Sequence, residues 1–160
     1  DRAALIGCAV TTGVGAVIHT AAVEPGATVA VIGCGGVGLS CINGAALAGA
    51  SRVIAVDMVA SKLELARKFG ATDVVDASGG DAVAQVQALT GGGVHYSFEA
   101  IGLKVTAEQA FQMLRRGGTA TVIGMIPPGD MVTLHGVEFL QEKTIQGSMM
   151  GSNRFRVDMP

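Results

Sequence analysis

Along the chain, short runs of β-branched and small apolar residues alternate with segments whose apolar positions recur at helical spacing. Residues 28–33 (TVAVIG) form an apolar run entered from Pro25-Gly26, which reads as a buried strand following a turn. Residues 36–48 are small and apolar with a helical period, and Gly49 stands where such a helix would stop. The alternation continues with strands over 52–57, 73–76, 95–100, 119–125 and 144–148, and helices over 61–69, 81–90 and 104–115. Strand–helix units of this length imply parallel strands joined by right-handed crossovers. The pattern therefore predicts an α/β fold, a doubly wound six-stranded parallel sheet, with a helix over 5–23 leading into its first strand.

Composition narrows this further. A length of 160 residues suits one domain, which can bury about 68–70% of the surface exposed by the unfolded chain. Hydrophobic residues make up 49% and aromatics 4%, with 24 glycines, so the core is expected to be aliphatic and the turns backbone-driven. A net charge of −2 supplies no bulk attraction for a polyanion, which argues against nucleic acid as a partner. The three cysteines, Cys8, Cys34 and Cys41, are too few and too scattered for a disulfide framework, so a reducing, cytoplasmic setting is expected. Apolar stretches are broken by Gly, Thr or Ser, so no membrane partner is expected. Asp1 opens without methionine and Pro160 closes a Val-Asp-Met-Pro tail, and both ends read as cut points in a longer sequence.

The chemistry-bearing motif is Gly33-Cys34-Gly35-Gly36-Val37-Gly38, a full G-x-G-x-x-G between a predicted strand and a predicted helix. Gly33 permits the tight turn, Gly35 lets the backbone approach a pyrophosphate, and Gly38 lets the helix pack closely on the strand. The helix N-terminus then offers free N–H groups and partial positive charge to phosphates. Asp57 ends the second strand, 19 positions beyond Gly38. A carboxylate there accepts from the adenosine ribose hydroxyls and repels a 2′-phosphate, which favours NAD over NADP. Met58 follows it in place of the arginine that a 2′-phosphate would require. The whole of 1–160 thus reads as a Rossmann dinucleotide-binding domain. A methyltransferase-like S-adenosylmethionine module and a non-catalytic nucleotide sensor share the glycine loop and the acidic residue, and both remain open at this point.

The flanking motifs resemble the zinc-type medium-chain alcohol dehydrogenase family. They are Gly7-Cys8-Ala9-Val10-Thr11-Thr12-Gly13-Val14-Gly15, Asp57 to Lys62, Ser97-Phe98-Glu99-Ala100-Ile101-Gly102, Gly124 with Pro127, and Gly147-Ser148-Met149-Met150-Gly151-Ser152. The resemblance implies that Cys8 is one ligand of a catalytic zinc and that Thr12 packs against a nicotinamide ring. It places Gly33, Gly35, Gly36, Val37 and Gly38 on the pyrophosphate, and Lys62 with Asp57 on the ribose. Ala100, Ile101 and Gly102 would line the cofactor groove, Ile123, Gly124 and Met125 would run beside the nicotinamide, and Met150 would touch its far end. Residues 1–24 would lead in from a catalytic domain, and 148–160 would return to it.

The cofactors implied are NAD and zinc, and the small-molecule partner is an alcohol or aldehyde. The reaction implied is hydride transfer between nicotinamide and a primary alcohol or a thiol–formaldehyde adduct. The chain lacks the family's other zinc ligands and substrate pocket, so alone it is expected to bind NAD(H) without turning over alcohol. A homodimer or homotetramer formed through the sixth strand is also implied. Two departures stand out: Val14 replaces an aromatic residue, and Leu103 replaces a basic one. A zinc-free medium-chain NAD(P)H reductase is the alternative within the same superfamily, although it usually prefers NADP and lacks a cysteine at the position of Cys8. His19, His95 and His135 match no catalytic histidine.

Overall fold

A computed structural model describes residues 6–158, so the two apparent cut points and Leu5 lie outside the described residues. Six strands form one parallel sheet in the order β3-β2-β1-β4-β5-β6. They are β1 (Thr28–Ile32), β2 (Arg52–Asp57), β3 (Asp73–Asp76), β4 (Val94–Glu99), β5 (Leu114–Val122) and β6 (Thr144–Gly147). Before β1 the chain winds helically through Ile6–Val10, α1 (Thr11–Gly15) and Ala16–Thr20. The crossovers are α2 (Gly36–Leu47), α3 (Ala60–Lys68), α4 (Ala82–Thr90) and α5 (Lys104–Gln112), and α6 (Phe155–Asp158) is a final short turn.

Both faces of the sheet are covered, and the strands show it residue by residue. Val29, Val31, Val53 and Ala55 pack with Ile42, Ala45 and Leu63 on one side. Their neighbours Ala30, Ile32, Ile54 and Val56 pack with Val86, Phe111 and Met113 on the other. Alternation of side chains across a strand, with apolar residues on both faces, is what a doubly covered parallel sheet requires.

The expected elements are all present, with the boundaries around β5 moved. The helix predicted over 104–115 ends at Gln112, and β5 begins at Leu114 rather than at residue 119. The early start pairs Leu114 with Val94, after which a register shift brings Thr119 opposite Tyr96. Gly117 (φ +72°) and Gly118 absorb that irregularity. β5 also stops at Val122, so Ile123, Gly124 and Met125 continue beyond the strand into the following loop. That loop returns through a 3₁₀ turn, Gly136–Gln141. The turn is pinned by buried Lys143, which reaches Glu138 at 2.7 Å and lies 5.5 Å from the Phe111 ring centroid.

The lead-in segment is an integral part of the core. Ala16 and Val17 are fully buried, and α1 lies directly on α2. A Cβ on Gly13 would stand 2.4 Å from the Val37 carbonyl oxygen and 2.8 Å from the Cys41 amide nitrogen. The tail closes over the same segment. Thr20 Oγ1 lies 2.8 Å from both Ser148 Oγ and Ser152 Oγ. Asn153 Nδ2 donates to the carbonyls of Thr11 and Met150, each at 2.7 Å.

At the opposite end of the sheet, His95 joins β4 to β1. Its Nδ1 accepts from the Thr28 N–H at 3.1 Å and lies 2.8 Å from Thr28 Oγ1. A ring nitrogen that accepts a main-chain N–H carries no proton, and burial together with nearby Arg115 holds the His95 pKa below its ordinary value, against Glu24. His95 is thus a satisfied structural residue.

Two expectations follow. The unfolded chain takes up a proton near pH 6.5 that folded His95 resists. The stability His95 contributes is therefore complete above that pH and declines below it, and the Tm advantage of wild type over His95→Gln should shrink between pH 7 and pH 5. A difference constant with pH would show that His95 is not responsible. Gly13→Ala should lower Tm by roughly 4–8 °C, because overpacking against backbone costs about 3 kcal/mol while helix propensity returns only about 1 kcal/mol. An unchanged Tm would mean that α1 does not seat on α2 this closely.

Candidate cofactor site

The site grows from the turn after β1. Gly33 takes φ +95°, and its N–H donates to the Val56 carbonyl at 2.8 Å, which draws the turn over the end of β2. Gly38 then passes so near that turn that a Cβ would stand 1.7 Å from the Gly33 carbonyl oxygen. Gly35 is the extended residue preceding α2, and no side chain caps the helix. The first-turn N–H groups of α2 therefore face the groove as an anion site made of backbone alone. Nothing lies within 4 Å of where a Gly35 Cβ would be, so a ligand has open access there. The loop thiol brings no competing anion. Burial, with the Asp57 carboxylate adding and Lys62 opposing, pushes the Cys34 pKa up to about 12.

Asp57 closes the second side. Its side chain is 9% exposed, and each carboxylate oxygen takes a main-chain donor. Cys34 N–H reaches Oδ2 at 2.8 Å, and Val59 N–H reaches Oδ1 at 3.0 Å. Lys62 Nζ stands 4.0 Å from Oδ2. The acid thus ties the phosphate loop to the β2–α3 turn while keeping one edge toward the groove.

The groove is a cavity of about 520 Å³ over the C-terminal ends of β1, β2 and β4. That is the place where the chain order reverses around β1, and such switch points are where open α/β sheets bind ligands. The cavity brings together Gly33, Gly35, Asp57, Lys62, Ala100 and Ile101. Met58, Val59, Leu103 and Val105 add apolar walls that the sequence reading did not assign. Their signal was available for Met58 and Val59, two apolar residues that directly follow Asp57.

The other expected residues fall around this cavity in different ways. Gly36, Val37 and Gly38 form the first turn of α2 and contribute backbone. Gly102 is buried against the far segment, where a Cβ would stand 2.6 Å from the Met125 carbonyl oxygen. Ile123 and Gly124 are half-buried, while Met125 is 90% exposed. Thr12 and Met150 meet, with Oγ1 at 3.7 Å from Sδ, and neither lines the cavity. Cys8 is exposed, four residues before Thr12 in the same helical segment. Among the described residues no three His, Cys, Asp or Glu side chains gather as a metal site. None of the described helices is long and apolar enough to cross a membrane.

This geometry has close counterparts. The family model described as "Zinc-binding dehydrogenase" matches residues 36–160. The protein named "Probable S-(hydroxymethyl)glutathione dehydrogenase 1" of Schizosaccharomyces pombe is 44% identical over 98% of this chain. The chain spans 42% of that relative's length. The benzyl alcohol dehydrogenase of Acinetobacter calcoaceticus superposes with a TM-score of 0.94 at 36% identity, over 97% of this chain and 43% of that one. A structure from Sinorhizobium meliloti 1021, solved bound to NADP, superposes with a TM-score of 0.83 at 31% identity, over 89% of this chain and 43% of that one. With the sheet order, the glycine loop and the Asp57 corner in agreement, the chain belongs to the zinc-binding dehydrogenase family.

Proposed function

We propose that this chain is the NAD(H)-binding domain of an alcohol or aldehyde oxidoreductase. The observation that carries the reading is the switch-point cavity, where a bare helix N-terminus and a carboxylate edge face one groove. Nicotinamide, when bound, supplies the hydride acceptor or donor. This chain's residues bind and orient it: α2 N–H groups take the pyrophosphate, Asp57 and Lys62 take the ribose, and Ile101 covers the groove. Thr12, Ile123, Gly124, Met125 and Met150 are the residues proposed for the nicotinamide end. Cys8 would be one ligand of a zinc whose remaining ligands lie outside the described residues. Residues 1–24 and 148–160 would be the connections to a catalytic domain.

The substrate class proposed is a primary alcohol or a thiol–formaldehyde adduct, in keeping with the names of the relatives. Three free cysteines fit a reducing compartment such as the cytoplasm. Among the described residues, β6 has a hydrogen-bonded neighbour only in β5. Its outer edge is an unpaired ladder of the kind that joins strands between chains, and we propose that it pairs with a second copy to give a homodimer or homotetramer.

Two measurements test these readings. Titration of the intact protein with NADH and NADPH, followed by nicotinamide emission, should show NADH preferred. Asp57→Gly should narrow or invert that preference, because it removes the carboxylate that repels a 2′-phosphate. Equal binding of both by wild type would instead favour a zinc-free NAD(P)H reductase, and binding of neither would remove the dinucleotide reading. Sedimentation should show a dimer or tetramer, and a strict monomer at high concentration would remove the β6 pairing.

A further inference from the structure

Among the described residues, Glu99 is the one fully buried acid, with 0% exposure at the end of β4. It is ion-paired with no cation among the described residues. Its Oε1 instead accepts three donors: Ile101 N–H at 2.9 Å, Gly102 N–H at 2.8 Å and Thr106 Oγ1 at 2.7 Å. Its main-chain carbonyl accepts from the N–H groups of Ile123 at 2.9 Å and Gly124 at 3.1 Å. Oε2 meets no donor among the described residues and faces Gly124, where a Cβ would stand 2.6 Å away. Burying a carboxyl is costly, and an apolar residue would fill the same space at the end of a central strand. What the carboxyl adds is geometry, because it fixes the turn that follows.

That turn touches both halves of the groove. Ile101 presses on the phosphate loop, where its Cγ1 lies 2.5 Å from the place a Gly33 Cβ would occupy. Gly102 seats against the segment after β5, since a Cβ on Gly124 would stand 2.1 Å from the Gly102 amide nitrogen. One side chain therefore spaces the wall at Gly33 and Ile101 from the wall at Gly124 and Met125. We infer that Glu99 is a positioning residue that couples the pyrophosphate half of the groove to its nicotinamide half, so that it governs how well the whole dinucleotide is held. The inference rests on the NAD(H) reading.

The test compares NADH with ADP-ribose, which lacks only the nicotinamide, on the intact protein. Glu99→Ala removes the acceptor of the Ile101 and Gly102 N–H groups, while the Thr106 hydroxyl keeps the Leu103 carbonyl at 2.9 Å. The ratio of NADH to ADP-ribose affinity should fall about tenfold, the scale set by one or two unpaired buried donors. Glu99→Gln keeps an acceptor at Oε1 and should hold the ratio within about threefold of wild type. If Glu99→Ala does not fold, Glu99→Asp withdraws the carboxyl by one methylene and should lower the ratio in the same direction. A purely structural role would lower Tm and leave the ratio unchanged, and that result would overturn the inference. So would a Gln variant as impaired as Ala. Failure of wild type to bind either ligand would instead overturn the NAD(H) reading on which the inference stands.

Discussion

The backbone of Gly38 and the carbonyl of Gly33 approach each other with no side chain between them, and the position of α2 follows from that contact. Any larger residue at 38 would lift the helix off the turn and swing its N-terminus away from the groove. With α2 seated, Gly33 can bond to Val56, and Cys34 can reach Asp57. Ile42 and Ala45 then drop onto the sheet face shared with Val29 and Val31. The helix in turn gives α1 its seat through Gly13 and Gly44. Fold and site thus share one constraint, in which glycine serves as the absence of an obstacle.

Asp57 illustrates how a recognition group doubles as a structural one. With both oxygens engaged by amides, the carboxylate has little rotational freedom, and Lys62 Nζ stands 4.0 Å from Oδ2. A ligand hydroxyl meets an acceptor already held in place, which lowers the entropy lost on binding. The same bonds hold the glycine loop and the β2–α3 turn at a fixed spacing.

Much of this was legible in the sequence because it depends on local signals. Strand runs of Val and Ile, glycine stops such as Gly49 and Gly70, and the spacing from Gly38 to Asp57 are all contained within short windows. The β5 start was not legible: Leu114 and Arg115 continue the helical pattern of α5, and only pairing with Val94 draws them into the sheet. The meeting of Thr12 with Met150 is likewise invisible locally, since it joins residues from opposite ends of the chain. Leu103 was visible only as the loss of a basic residue, and Val105 escaped notice because an apolar residue in the first turn of a helix reads as ordinary core. Glu99 was visible as an acid ending a central strand, but its three donors come from a turn and a helix whose path the sequence does not specify.

The stapling of Thr20 to Ser148 and Ser152, and of Asn153 to Thr11, has a topological meaning. The segment that enters the domain and the segment that leaves it lie side by side, so the fold is a nearly closed ring of chain. A ring of this kind can sit within a larger polypeptide as a cassette, joined through a single narrow neck, without strand order or core packing having to change. It can also be reopened at an exposed loop and rejoined at the neck, so that a circularly permuted chain would meet the same set of contacts in a different order.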